Sequence, residues 1–147
     1  MKPIYSVVLL PFLIILLLVT PVKGSSEWVK YKWSNVGDVY LYNKDSIKNR
    51  AQDIVQVWTK VVFSDAGRRK FIQKLSKGEL STARWDKLSY FSGLQEIDCK
   101  KKMTQVFSIT FYETNGKVLD SHSSDKPKWE YIPPDSTGEF LRKKVCK

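Results

Sequence analysis

Residues 103–121 read MTQVFSITFYETNGKVLDS, and this stretch decides the fold. Bulky apolar side chains occupy most odd positions from Met103 onward and smaller polar side chains the even ones, which indicates a half-buried strand. Asn115-Gly116 then separates this strand from a second apolar run. Asn-Gly favours a two-residue type I′ turn because both residues tolerate positive φ. The stretch therefore predicts an antiparallel hairpin whose longer strand places Met103 on its apolar face.

Similar alternation continues toward the N-terminus. It predicts strands over residues 28–33, 39–42 and 52–63, and strands resume near residue 85. In the longest run, three valines and a phenylalanine form one apolar face that Thr59 interrupts. Gly93 predicts a bulge in the strand that precedes the hairpin, because glycine inside a strand weakens regular pairing. These runs together predict an antiparallel sheet.

Two segments have helical rather than strand spacing. Residues 64–81 contain apolar residues on one side of a basic run, which predicts a short helical insertion lying over the sheet edge. Near the C-terminus, Ser136 followed by Glu139 forms a capping-box pattern. This pattern predicts a helix over residues 137–145.

The N-terminus has the order of a secretory signal peptide. A cationic start precedes an uncharged apolar stretch over residues 4–20, and small residues precede a cleavage position after Gly24. This predicts a signal peptide over residues 1–24 and a single exported domain over residues 25–147, soluble in the periplasm or at the cell surface. Retention as an N-terminal anchor is the alternative, because the stretch approaches the ~20 residues that span a bilayer.

Both cysteines, Cys99 and Cys146, lie in the predicted exported domain. An even pair in an oxidising compartment predicts a disulfide. That bond would tether the C-terminal helix to the sheet. The predicted class is thus α+β: an antiparallel sheet, a disulfide-tethered C-terminal helix and a short helical insertion.

The chain is basic, with a formal net charge of +10 at pH 7, and the predicted signal peptide holds only two of its lysines and no acid. Such a charge favours acidic partners. The disulfide would bring two basic runs together, and we predict that they form a patch binding sulfated glycans, an anionic membrane surface or an acidic protein face. The alternative is that these side chains spread separately into solvent. The patch residues are Lys100, Lys101, Lys102, Arg142, Lys143 and Lys144.

No catalytic set is visible in the sequence. His122 is the only histidine, and no glycine-rich phosphate loop, nucleophile elbow or metal-ligand cluster occurs. We therefore predict a protein that is not an enzyme and needs no cofactor or metal. Nothing indicates a specific nucleic-acid partner, and the sequence does not specify an oligomeric state.

Five segments along the chain form a distinctive series: Val57-Trp58-Thr59-Lys60, Glu96-Ile97-Asp98-Cys99, residues 111–121, Trp129-Glu130-Tyr131-Ile132, and residues 134–139 leading to Val145-Cys146. Taken in this order, they resemble the surface-adhesin protein E-like family of Gram-negative bacteria. The resemblance covers residues 28–146 and implies an antiparallel sheet with a disulfide-held C-terminal helix. For the family it also implies binding of host extracellular-matrix and plasma proteins.

Two functions follow from these observations. The first is an exported envelope domain with adhesin-like binding of proteins or acidic glycans. The alternative is a periplasmic domain that binds a small molecule or lipid in a groove between the C-terminal helix and the sheet. A deep apolar pocket favours the second, and exposed aromatic or basic patches favour the first.

Overall fold

The computed structural model describes residues 26–76 and 84–147. The predicted signal peptide lies outside these residues, as does the end of the predicted insertion. Within the described residues, eight strands form one sheet and two helices pack on it. The elements are β1 (Trp28–Trp33), β2 (Val39–Asn43), β3 (Lys48–Ala51), β4 (Ile54–Val62), α1 (Asp65–Ser76), β5 (Leu88–Asp98), β6 (Met103–Glu113), β7 (Val118–Ser123), β8 (Glu130–Tyr131) and α2 (Thr137–Val145).

The sheet is a meander of antiparallel strands. Its order is β1-β2-β4-β5-β6-β7, while β3 pairs with β4 and β8 pairs with β6. The predicted α+β class, with its antiparallel sheet and C-terminal helix, is confirmed. Neither helix within the described ranges is long and apolar enough to cross a membrane.

The predicted strand over residues 52–63 is in fact the second half of a hairpin. The chain turns at Asp53, whose φ is 61°, and β4 begins at Ile54. The preceding strand β3 is exposed throughout its length. It therefore lacks the apolar alternation that identifies a half-buried strand, and sequence reasoning missed it.

The hairpin at residues 103–121 is confirmed, because β6 pairs with β7. Its turn differs from the prediction. Gly116 has a φ of +82°, whereas Asn115 keeps a negative φ, so a type I′ turn is not formed. The Gly116 amide donates to the Glu113 carbonyl at 3.0 Å, and the Glu113 amide donates to the Lys117 carbonyl at 2.9 Å. These bonds close a three-residue loop with glycine in the left-handed position.

A bulge in the ladder between β5 and β6 changes which side chains share a face. It follows the pair Leu94–Ser108 and leaves Phe107 without a partner. Because each added residue reverses the alternation, Met103 lies on the face opposite Ile109. The predicted common apolar face is therefore wrong for Met103.

Gly93 is not the bulge residue that the sequence predicted. It pairs regularly with Thr59 on β4 and with Ile109 on β6. A Cβ atom at Gly93 would lie 2.9 Å from the Ser108 carbonyl oxygen. Close approach of a neighbouring backbone, rather than a bulge, explains this glycine.

One face of the sheet, called the inner face, carries the apolar core in two clusters. Cluster 1 packs against α2, and cluster 2 packs against α1 and the turn that precedes β5. Cluster 1 contains Tyr42, Val55, Val57, Ile97, Ile132, Leu141 and Val145, and cluster 2 contains Leu88, Phe111 and Leu119 with Phe63, Phe71, Trp85, Phe91 and Ile109 packed against them.

Helix α1 lies over one end of the inner face, not over the sheet edge as predicted. The Phe71 ring centroid is 5.1 Å from that of Phe63 and 5.8 Å from that of Phe111. Because Phe111 belongs to β6, which has strands on both sides, α1 covers interior strands and not the edge strand β7. The aromatic residue of the insertion is thus a core residue.

Helix α2 has the predicted bounds. The Ser136 hydroxyl oxygen accepts from the Glu139 amide at 3.2 Å, which caps the first turn. Leu141 and Val145 are buried, whereas Phe140 is 40% exposed and lies beneath the Lys32 ammonium. The helix therefore presents only part of its apolar side to cluster 1.

Candidate functional site

The disulfide between Cys99 and Cys146 is present and joins the end of β5 to the end of α2. The two Cα atoms lie 5.7 Å apart. Arg142 strengthens the same junction, since its Nη1 donates to the Cys99 carbonyl at 3.1 Å. The last turn of α2 is therefore fixed against the turn between β5 and β6.

This junction places the two predicted basic runs side by side. The turn that follows Cys99 carries three lysines, and the last turn of α2 carries an arginine and two lysines. We call these six residues the basic cluster. They are Lys100, Lys101, Lys102, Arg142, Lys143 and Lys144.

Asp98 shapes the turn that displays the first three lysines. Its Oδ1 accepts from the backbone amides of Lys100 and Lys101, at 3.1 and 2.7 Å. Lys102 then takes a φ of 56°, which brings the chain into β6. A buried carboxylate thus holds the backbone while all three lysine side chains remain exposed.

Arg142 differs from the rest of the basic cluster because its guanidinium is paired with a carboxylate of the same helix. Its Nε and Nη2 donate to the two carboxylate oxygens of Glu139, at 2.7 and 2.9 Å. These hydrogen bonds, with the nearby positive charges, lower the pKa of Glu139 to about 2. Arg142 therefore organises the junction, and its charge is paired with Glu139.

The five lysines of the basic cluster are exposed at the surface. Lys101 Nζ lies 3.9 Å from Asp98, and Lys143 Nζ lies 3.7 Å from Glu139. Both lysine side chains are mostly exposed. Such surface pairs contribute about 0–1 kcal/mol, so they do not hold the ammonium groups in place. The two carboxylates offset only part of the positive charge here.

The sheet face opposite both helices carries exposed and half-buried aromatic side chains. Tyr90 and Tyr112 stack with their ring centroids 4.7 Å apart. The Lys60 ammonium lies 4.2 Å from the Trp28 ring centroid and 5.1 Å from that of Tyr90. Burial lowers the pKa of Lys60. We call Trp28, Trp58, Lys60, Tyr90 and Tyr112 the aromatic face.

A cavity of about 250 Å³ lies on the inner face, between the sheet and the first turn of α2. Thr59 and Gln95 form part of its floor, and Gly138 and Leu141 contribute from α2. The predicted groove between helix and sheet therefore exists, although it is smaller than the ~300–1,000 Å³ of drug-sized ligand sites. We call it the inner cavity.

His122 is exposed on β7, and its Nε2 lies 2.9 Å from the Asp120 carboxylate. The hydroxyl of the adjacent Ser121 pairs with the Thr110 hydroxyl, 2.9 Å away. Residues 26–76 and 84–147 contain no group of three or more His, Cys, Asp or Glu side chains arranged to hold a metal ion.

Comparison with solved structures places this fold beside protein E of Haemophilus influenzae. One structure of that protein aligns with a TM-score of 0.52 and 17% identity, over 88% of this chain and 90% of the other. A second crystal form aligns with a TM-score of 0.50 and 13% identity, over 86% and 91%. Comparison with curated protein sequences gives no match. At these identities, the structural likeness shows a shared fold.

The fold defines a class of antiparallel-sheet domains in which a disulfide holds a C-terminal helix to the sheet. The profile of the surface-adhesin protein E family matches residues 28–147. This chain belongs to that family.

Proposed function

We propose that this chain is an exported, adhesin-like binding domain of the bacterial envelope, and that the basic cluster recognises a sulfated glycan. In this proposal, residues 1–24 direct export and are removed, and residues 25–147 act as one domain in the periplasm or at the cell surface. Membership of the adhesin family supports a binding role at the surface.

The observation that carries the proposal is the junction at the disulfide. Lys100 and Lys144 are far apart in sequence, yet the bond between Cys99 and Cys146 and the contact of Arg142 with the Cys99 carbonyl bring their segments together. Folding thus creates a positive surface that neither segment forms alone. A linear polyanion can meet several exposed ammonium groups at once, which favours binding at low ionic strength.

Heparin binding tests this site on protein purified from cells expressing the full chain. The variant Lys101→Glu with Lys143→Glu should bind heparin at least about tenfold more weakly at low salt, because two attractive contacts become repulsive. Wild-type binding should weaken as salt rises. Thermal unfolding of each protein checks that the fold is retained.

The matched control is Lys48→Glu with Lys126→Glu, which makes the same change in net charge at two exposed lysines outside the basic cluster. This control should retain most of the binding. Equal losses in the two variants would show that only net charge matters. No binding of heparin by the wild type would exclude a sulfated glycan as the ligand. Binding of an acidic protein but not of heparin would identify a protein as the partner.

A further inference from the structure

The inner cavity lies between cluster 1 and cluster 2 of the core. Leu141 and Tyr31, which pack in cluster 1, line one side, and Phe91 and Ile109, which pack with cluster 2, line the other. Val106, which is 39% exposed, also lines this space, so the inner cavity opens to solvent on one side. Its volume of about 250 Å³ is enough for a small ligand.

Small residues on both walls create this space. On the sheet, Thr59 interrupts the valine row of β4, and Gly93 lies beside it on β5. On the helix, Gly138 lies at the first turn of α2, where a Cβ atom would come within 3.2 Å of Ile132. A side chain at Gly93 would collide with the Ser108 carbonyl, whereas a Cβ atom at Gly138 would press on the Ile132 side chain.

Two hydrogen bonds hold the Gln95 side chain, which forms part of the cavity floor. Gln95 Nε2 donates to Thr59 Oγ1 at 3.2 Å, and Gln95 Oε1 accepts from the Thr104 hydroxyl at 3.1 Å. A side-chain amide has two N–H donors and an oxygen with two lone pairs. Gln95 therefore retains one donor and one acceptor for a further partner.

The walls are aromatic and uncharged. Tyr31 and Tyr40 lie on one side and Phe91 on another, and no lining residue carries a charge. Burial, with a smaller effect of Tyr40, raises the pKa of Tyr31 well above its ordinary value. Such an uncharged and largely aromatic wall disfavours a charged ligand, because transferring an unpaired charge out of water costs several kcal/mol or more.

We infer that the inner cavity binds a small, uncharged aromatic molecule of about two fused rings, with a polar group directed at Gln95. The size follows from the volume, since an apolar cavity of ~150 Å³ accommodates benzene. This site is separate from the basic cluster, so it extends the proposed function without depending on it.

Indole and indene are the probes, because they share a shape and differ in one N–H donor. NMR titration of the ¹⁵N-labelled protein, purified after expression of the full chain, should show saturable indole shifts at the Gly93 and Gly138 amides. The amide of Gly116, at the distant hairpin turn, should not move. Absence of saturable shifts, or shifts of all three amides together, would overturn the inference.

The variant Val106→Trp places a large side chain at the cavity rim, where Val106 is 39% exposed. It should abolish the indole shifts. The matched control Val118→Trp makes the same change at a 50% exposed valine on β7, outside the cavity lining, and should bind as the wild type does. Equal binding of indole by the two variants would show that indole binds outside the inner cavity.

The variant Gln95→Leu tests the polar contact. Thr59 still donates to the Gly93 carbonyl, and Thr104 to the Glu96 carbonyl, so their hydroxyl donors remain satisfied. The wild type should prefer indole to indene by about fivefold, and Gln95→Leu should lose this preference. Equal affinities in the wild type would refute the role of Gln95, and tighter binding of octanoate than of indole would refute the aromatic ligand.

Discussion

Glu139 illustrates how one side chain departs from a sequence pattern. The capping box predicts that Ser136 and Glu139 bond each other's backbone amides. The serine half forms, but the Glu139 carboxylate turns to Arg142 instead. The position of Glu139 in the helix was predictable from spacing. The partner of its carboxylate was not, because both the Ser136 amide and the Arg142 guanidinium are possible donors.

This pairing predicts a pH dependence of stability. The pKa of Glu139 falls from about 4.5 to about 2 on folding, chiefly through its hydrogen bonds to Arg142. A lowered carboxylate pKa stabilises the folded state at pH values above the unfolded pKa, and this contribution is lost as pH falls toward the folded pKa. Glu139→Gln should therefore lower Tm near neutral pH, and its difference from wild type should shrink between about pH 4.5 and 2.

Thermal unfolding of both proteins from pH 7 to pH 2 measures this difference. Glu130→Gln is the control, because Glu130 is exposed on β8 and forms no ion pair with another described residue. It should change Tm little at any pH. A difference between Glu139→Gln and wild type that stays constant down to pH 2 would contradict the assigned pKa.

At the scale of elements, alternation identifies a strand but not its exact pairing. The hairpin of β6 and β7 and the bounds of α2 were predictable, because both depend on local signals. The bulge that leaves Phe107 unpaired was not, since it depends on register against β5. Strand β3 was missed because it is exposed and has no apolar face.

The hairpin turn gives a local test of this reasoning. Gly116 has a φ of +82°, a region that β-branched side chains resist. Gly116→Val should lower the free energy of unfolding by about 1 kcal/mol or more. Urea denaturation monitored by tryptophan fluorescence measures the change.

The control for Gly116 is Lys117→Val, which places the same side chain one residue later, where φ is not positive. It should change stability much less. If both variants were equally stable, the left-handed conformation would not be the reason for glycine at this turn.

At the scale of the whole molecule, sequence reasoning predicted the disulfide but not the details of the inner cavity. Two cysteines permit one bond, and that bond, with the contact of Arg142 and the Cys99 carbonyl, brings together the segments that carry the lysine runs. The cavity depends on packing between distant segments. Thr59 was visible as a break in an apolar row, but its relation to Gly138 required the position of α2 on the sheet.

The disulfide should dominate global stability. It links residues separated by 47 positions, and closing such a loop restricts the unfolded chain by about 4 kcal/mol in the chain-entropy description. Cys99→Ser with Cys146→Ser should lose about that amount in urea denaturation. Fully reduced wild-type protein is the matched comparison and should show the same loss of stability as the double variant. A loss below about 1 kcal/mol would mean that the unfolded chain is already compact in this region.

The meander order of the sheet has a consequence for the order of folding. Most neighbouring strands are also neighbours along the chain, so each hairpin can close once its second strand has formed, and such local closures are fast. Helix α2 and Cys146 follow all eight strands along the chain, so the helix can pack and the disulfide can form only after the strands have been made. Until then, the α2-facing part of the inner face, including the future cavity floor, remains open to solvent. Chaperones and oxidants that act during export would therefore meet a nearly complete sheet that still awaits its final helix.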